Sequence, residues 1–222
     1  MQKDYAAVLR GLTEYHGTTM LGHFGHDDPW QTLIATILSA RSRDETTEVV
    51  ARELFRVFPD CASLASANVR RVEKLVKKTG FYKTKARRII GVSRVLMKEY
   101  AGQVPNEMEA LLKLPGVGRK TASCVLVYAF AKPAIPVDTH VHRISNRLGW
   151  VKTKTPEQTE EALRKMISEK DWLLVNDLFV FHGKNVCKPI RPLCNACKIE
   201  SVCAKVIKTK HGSTESRKAR KL

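Results

Sequence analysis

The chain has 222 residues, with 39 Lys and Arg against 22 Asp and Glu, which gives a formal net charge of +17. This length can bury a substantial core in one large or two small domains, and so large a positive excess predicts a polyanionic partner, for which nucleic acid is the best candidate. No long uncharged apolar run suits a bilayer and the first residues lack the apolar core of a secretory signal, so we expect no membrane contact and an intracellular, reducing location.

Apolar residues recur at helical spacing in short segments that Gly, Pro and capping residues separate. Helices are predicted over 2–17, from Asp28 to Leu38, from Asp44 to Phe58, from Asn68 to Gly80, from about Ala86 to Tyr100, and over 106–113, 119–131, 139–148, 156–169 and 172–182. No alternating β pattern of useful length occurs. The predicted fold class is therefore all-α, a compact set of modest helices.

A glycine-rich turn lies inside the stretch Leu114–Ala122, between a helix-ending Pro and an apolar helix. The amides of Gly116, Val117 and Gly118 are predicted to point outward at the start of that helix. Unsatisfied N–H groups and the helix dipole favour an anion there, so the turn predicts a phosphate site.

Lys120 falls in the first turn of the same helix, where a cation is electrostatically misplaced. Its neutral amine is therefore favoured, and a lysine of this kind can act as a nucleophile. Asp138 precedes Thr139 at the start of a further predicted helix, so it can be an N-cap, a catalytic carboxylate or both. The alternative for Lys120 is a solvated surface cation, as most lysines are.

Four cysteines, Cys187, Cys194, Cys197 and Cys203, follow the spacing C-x6-C-x2-C-x5-C. So dense a set in an intracellular protein predicts metal ligation, and four thiolates suit either tetrahedral zinc or an iron–sulfur cluster. The remaining cysteines, Cys61 and Cys124, have apolar neighbours and are predicted to be core residues.

The segment Leu114–Ala122, taken with Val137–Arg143, resembles the helix-hairpin-helix motif and the following Gly/Pro-Asp segment of the endonuclease III family of DNA glycosylases. The match extends over most of the chain. It implies that Lys120 is the Schiff-base lysine, that Asp138 is the catalytic aspartate, and that the four cysteines hold a structural [4Fe–4S] cluster.

The resemblance also implies two helical domains with a DNA-binding cleft between them. Residues 1–22 would form an N-terminal helix that packs with the C-terminal domain, and 23–132 a six-helix domain with the hairpin. The iron–sulfur domain would span 133–204. The tail 205–222 is basic and expected to be flexible, and it either aids solubility or adds a DNA contact.

The implied function is a bifunctional DNA glycosylase and AP lyase that removes oxidised pyrimidines from double-stranded DNA and cuts abasic strands by β-elimination. The enzyme is expected to be a monomer in the cytoplasm, associated with the nucleoid. One alternative is a thymine or uracil mismatch glycosylase of the same fold. The other is a non-catalytic helix-hairpin-helix DNA-binding protein, which would leave the pairing of Lys120 with Asp138 unexplained.

Two side chains are predicted to fill the gap that a flipped nucleotide leaves. Arg41 stands where many relatives carry Gln, and Phe81 where they often carry Leu. Arg41 either donates to the orphaned base or turns onto a phosphate. The full set of predicted DNA-binding residues is Arg41, Phe81, Leu114, Gly116, Val117, Gly118, Thr121 and His140.

Overall fold

The computed structural model describes residues 4–13, 28–208 and 214–216. Its α-helices are α1 Tyr5–Thr13, α2 Pro29–Ser39, α3 Asp44–Val57, α4 Cys61–Ala65, α5 Val69–Val76, α6 Tyr82–Glu99, α7 Met108–Lys113, α8 Arg119–Phe130, α9 Thr139–Arg147, α10 Pro156–Met166 and α11 Trp172–Asn185. Single 3-10 turns cover Glu169–Asp171, Cys194–Ala196 and Glu200–Val202. Within the described ranges, no helix is long and apolar enough to cross a bilayer.

The all-α prediction is confirmed, and side-chain caps explain several of the helix starts. The Asp28 carboxylate accepts from the amides of Trp30 and Gln31, and Thr155 forms a capping box at the start of α10. The sequence did not predict α4, because five residues are too few to show a helical period. The predicted helix 2–17 appears as α1, and its residues 14–17 lie outside the described part of the chain.

A short pair of strands follows the cysteine segment. Strand β1, Val206–Lys208, pairs antiparallel with β2, Thr214–Ser216, and Ile207 lies opposite Glu215. These six residues belong to the predicted tail 205–222 and their backbones are paired, while the flexibility of the tail stays a prediction. The rest of the predicted tail after Lys208 lies outside the described residues.

The chain forms two compact units. The hairpin unit contains the described residues of Thr19–Ala134. Its core is a continuous apolar cluster to which α2, α3, α5, α6 and α8 contribute buried side chains, among them Leu33, Leu54, Val72, Ile89 and Val125. Trp30 is buried in this cluster and donates from Nε1 to Ser93 Oγ at 3.2 Å. The hairpin of α7 and α8 therefore rests on a large core.

The cysteine unit contains the described residues of Met1–Thr18 together with those of Ile135–Leu222. Val8 and Leu12 of α1 are buried in the same apolar cluster as Leu163 of α10 and Phe179 of α11. The first helix thus packs with elements that lie more than a hundred residues later in the chain.

Candidate active site and metal centre

The turn between α7 and α8 has the backbone that the sequence predicts, with one difference. Gly116 adopts a φ of +76°, which favours glycine, and a Cβ at this position would lie 3.0 Å from the Cδ of Arg88, so that side chain would have to shift. The amide of Val117 donates to the carbonyl oxygen of Leu114 at 3.1 Å. It closes the turn, so it does not point outward to a phosphate as expected.

The side chains of Leu114 and Val117 are also buried, at 2% and 6% exposure. They anchor the turn in the core of the hairpin unit. Contacts of these two residues with DNA can then involve only backbone atoms. Gly116 and Gly118 are exposed, and their contact with a phosphate stays a prediction.

Helix α8 begins without a capping side chain, because its N-cap residue is Gly118. The Gly118 carbonyl accepts from Ala122, which starts the helical hydrogen bonds at 2.9 Å. A phosphate oxygen can therefore take the place of the capping oxygen at this end. Lys120 and Thr121 lie in the first turn and are both partly exposed.

Asp138 is the N-cap of α9. Its Oδ1 accepts from the amides of His140 and Val141 at 2.8 and 2.9 Å. Both bonds use one oxygen, and Oδ2 accepts no hydrogen bond from a described residue. The carboxylate can thus cap the helix with one oxygen and handle a proton with the other, which joins the two interpretations of this residue.

His140 packs against Arg143 of its own helix and against α11. Its Nδ1 lies 3.2 Å from Nη2 of Arg143, and Gly183 of α11 leaves no room for a Cβ against either residue. The imidazole is therefore packed between α9 and α11 and is only partly exposed.

Arg41 and Phe81 are brought together in the hairpin unit. The Arg41 guanidinium carbon lies 5.3 Å from the centroid of the Phe81 ring, a cation–π distance. Phe81 is 63% exposed, although large aromatic side chains are usually buried. The structure therefore presents the two predicted gap-filling residues as one exposed pair.

The four cysteines line one recess in the cysteine unit. The recess is partly open to solvent, and its other walls include Ile144, Leu148, His182 and Ile199. Burial raises the pKa of the Cys197 and Cys203 thiols, and the neighbouring cysteines raise it further. Within the described ranges, no group of three or more His, Cys, Asp or Glu is placed to hold a single metal ion.

Two arginines of α9, which the sequence analysis missed, hold the loop that begins at Cys187. Arg147 donates to the carbonyl oxygens of Lys188 and Pro189 at 2.6 and 2.7 Å, and to Cys187 Sγ at 3.3 Å. Arg143 donates to the carbonyl oxygen of Cys187 at 3.0 Å. Their i, i+4 spacing, which places both side chains on one face of the helix, is the sequence signal that could have revealed them.

Two further titratable groups are buried. His182 packs at the recess with Nε2 3.7 Å from Cys197 Sγ, and burial, with a smaller effect of Arg143, lowers its pKa to about 4. In the hairpin unit, burial lowers the pKa of Lys85 to about 8. The Lys85 amine donates to Leu38 O and to Ser42 Oγ, so it is not a free nucleophile despite this shift.

Comparison with known proteins gives a consistent result. The sequence pattern of HhH-GPD superfamily base excision DNA repair proteins matches residues 34–169. The endonuclease III of Thermotoga maritima is 52% identical over 79% of this chain and 83% of its own length. A trapped endonuclease III–DNA covalent intermediate, described as an estranged-adenine complex, has a TM-score of 0.83 at 31% identity and covers 92% of this chain and 96% of its own.

A thermostable thymine-DNA glycosylase has a TM-score of 0.79 at 23% identity, and it covers 90% of this chain and 93% of its own, which shows a shared fold. The family pattern spans more than half of the chain, and it includes both the glycine turn with Lys120 and the cap with Asp138. The chain belongs to the HhH-GPD superfamily of base excision DNA repair proteins.

Proposed function

We propose that this chain, a base-excision-repair DNA glycosylase with AP lyase activity, removes oxidised pyrimidines through a Schiff base on Lys120. The observation that carries the proposal is the position of Lys120, partly exposed in the first turn of α8 directly after the glycine turn. A phosphate at the helix start would place a DNA backbone beside this amine. A similar protein has been trapped as a covalent endonuclease III–DNA intermediate, which supports covalent chemistry.

The target nucleotide must first leave the base stack, because Lys120 cannot reach a sugar inside the duplex. The neutral Lys120 amine then attacks C1′, the new C–N bond forms, and the bond from C1′ to the base breaks as the base leaves with a proton. The sugar ring then opens: the C1′–O4′ bond breaks, O4′ takes up a proton, and the nitrogen lone pair forms the C1′=N iminium. Loss of a C2′ proton from this iminium expels the 3′ phosphate oxygen, which cuts the strand. Water finally releases the lysine.

Asp138 is proposed as the base that takes the proton from the Lys120 ammonium and as the negative charge that stabilises the developing cation on the sugar. The oxygen Oδ2 is suited to both roles, since the helix cap occupies only Oδ1. The cap also fixes the carboxylate, because two amide hydrogen bonds restrict its rotation.

We further propose that Cys187, Cys194, Cys197 and Cys203 hold a [4Fe–4S] cluster, as the endonuclease III family generally does. Four thiol donors around one recess fit this group. When bound, the cluster would cross-link the loop 187–203 and take no part in bond cleavage. Lys188, Arg191 and Lys198 of that loop would then face phosphates.

The partner is double-stranded DNA with damaged bases or abasic sites. The net charge of +17 supplies the sequence-independent part of the affinity. The amides of the exposed residues Gly116 and Gly118, with Thr121, are proposed to hold one phosphate. We propose that the protein acts as a monomer on nucleoid DNA, since one chain carries both Lys120 and Asp138.

The test is borohydride trapping with three duplexes, which contain an abasic site, an oxidised pyrimidine or a thymine–guanine mismatch. Trapping with the first two and not the third is expected. Covalent product with the mismatched duplex, formed once the thymine base has been removed, would favour the mismatch glycosylase. Binding without any trapping would instead indicate a non-catalytic DNA-binding protein.

A further inference from the structure

Two loops of the hairpin unit carry the exposed pair described above. The first, residues 40–43, joins α2 to α3 and contains Arg41; the second, residues 77–81, joins α5 to α6 and ends in Phe81. Both residues have left-handed backbones, with φ of 54° and 57°. Large side chains adopt this conformation rarely, and it persists where the surrounding structure holds it in place.

Lys85 lies beneath these loops at a core position of α6. It is 3% exposed and shares the inner face of the helix with Ile89 and Val92, which follow at four and seven residues. An apolar side chain at this position would avoid the cost of removing an amine from water. The contacts of the amine therefore explain why a lysine occupies this buried position.

The amine contacts both loops through one hydroxyl. Lys85 Nζ donates to Ser42 Oγ at 2.8 Å, and the same oxygen accepts from the amide of Gly80 at 3.1 Å. The amine also donates to the carbonyl oxygen of Leu38 at 2.7 Å. That carbonyl belongs to the last turn of α2, where backbone oxygens lack helical partners and the helix dipole favours a cation.

The packing at this point leaves no alternative to glycine. A Cβ at Gly80 would lie 2.9 Å from the carbonyl oxygen of Arg41, so the two loops touch backbone to backbone. Lys85 also continues the second loop into α6, because its own amide donates to the carbonyl oxygen of Phe81 at 3.0 Å. One buried residue is thus bonded to the end of α2, to loop 40–43 and to the residue that carries the exposed ring.

We propose that Lys85 is a positioning residue that ties the two loops together and so holds Arg41 and Phe81 ready to enter the base stack. This inference rests on the proposed function, in which that pair fills the gap left by the flipped nucleotide. Aromatic and apolar side chains that enter base steps must be held rigidly, because they act against base stacking. The hydrogen bonds that link Lys85 to both loops beneath the pair supply that rigidity.

The test compares Lys85→Met with Lys98→Met, a lysine on the same helix that is exposed. The trapping rate is measured in single turnover on an abasic duplex and on an abasic single strand. Fluorescence of 2-aminopurine beside the abasic site reports unstacking independently of the chemistry. Lys85→Met is expected to lose about tenfold to a hundredfold on the duplex and to weaken the unstacking signal.

On the single strand, where no stacked duplex must be opened, we expect Lys85→Met to stay within about twofold of the wild type. Lys98→Met should match the wild type in all three measurements. An equal loss on both substrates would show a merely structural role, and no loss on the duplex would overturn the inference. Wild-type protein that traps neither substrate would contradict the proposed function, while the 2-aminopurine signal would still decide the role of Lys85.

Ser42→Ala provides a second variant in case Lys85→Met does not fold. It keeps the bond from Lys85 to Leu38 and removes only the shared oxygen that joins Lys85 to Gly80. The same loss, confined to the duplex but smaller, is expected. An unchanged ratio of duplex to single-strand rates in Ser42→Ala would equally overturn the inference.

Discussion

The hairpin turn and the cysteine segment 187–203 are both short, basic stretches, but different interactions hold them. The turn is anchored by the buried side chains of Leu114 and Val117, which belong to the large core of the hairpin unit. In the cysteine segment, Ile190 is 79% exposed and Leu193 is 48% exposed, while Ile199 is buried. Arginine hydrogen bonds to backbone carbonyls hold its first residues.

Because of this difference, substitutions in the two regions should have different effects on the protein. Apolar burial fixes the turn without a ligand, so changes to its polar side chains should alter the chemistry and leave the fold intact. A segment with few buried apolar contacts depends on its cross-links, so changes there should alter structure and DNA affinity more than the chemical step. The predictions below would break or sharpen this comparison.

The largest effect is expected for Lys120→Gln. Removal of the nucleophile should lower strand cleavage and borohydride trapping by at least about a thousandfold. DNA affinity should change little, because many other cations supply the salt-dependent binding. Lys113→Gln, an exposed lysine on the first helix of the same hairpin, is the matched control. Undiminished trapping by Lys120→Gln would show that Lys120 is not the nucleophile.

Asp138→Asn should separate the two roles of this residue. Asn caps a helix about as well as Asp, so the melting temperature should be retained, while loss of the base should slow single-turnover cleavage by about a hundredfold. Asp138→Ala should lose the same activity and also about 1 kcal/mol of stability with the cap. Equal cleavage rates for wild type and Asn variant would leave Asp138 with a structural role alone.

Cys194→Ser should give the opposite result to Lys120→Gln. The wild-type protein is expected to be yellow-brown and to contain iron and inorganic sulfide, which the variant should lose. DNA affinity should fall by about tenfold, as when a few phosphate contacts are lost, while trapping at saturating DNA stays near the wild-type rate. Stoichiometric zinc without sulfide in anaerobically purified protein would reject the cluster.

Arg147→Met should weaken the cysteine unit through its backbone bonds. It removes the hydrogen bonds to the carbonyl oxygens of Lys188 and Pro189, and since these bonds are exposed and water can replace them, the loss should be about 0.5–1.5 kcal/mol. Urea unfolding measures the loss, with Arg10→Met on the exposed face of α1 as the control. A variant as stable as this control would show that the cysteine segment does not depend on the arginine.

The smallest effect is expected for Arg41→Gln. Arg can only donate hydrogen bonds, whereas Gln also accepts, and guanine shows more donors on its pairing edge than adenine does. The variant should raise cleavage opposite guanine relative to adenine by about threefold, less than a full base-specific contact supplies. Single-turnover rates at fixed salt measure the ratio. An unchanged ratio would place Arg41 on a phosphate.

The sequence by itself determined the features that depend on neighbouring residues. Helical spacing with caps such as Asp28 predicted the main helices, and the glycine turn placed Lys120 in the first turn of α8. The dense cysteine spacing predicted a shared ligand. Each of these is a local property, because turn geometry, capping and ligand spacing act over a few residues.

Only the tertiary structure decided which distant groups meet. It paired Arg41 with Phe81, joined α1 to the C-terminal half and turned the amide of Val117 inward. It also buried Lys85 against the end of α2, although lysine is usually exposed. Such contacts depend on how helices pack, and periodicity reports that a face is buried without reporting which partner covers it.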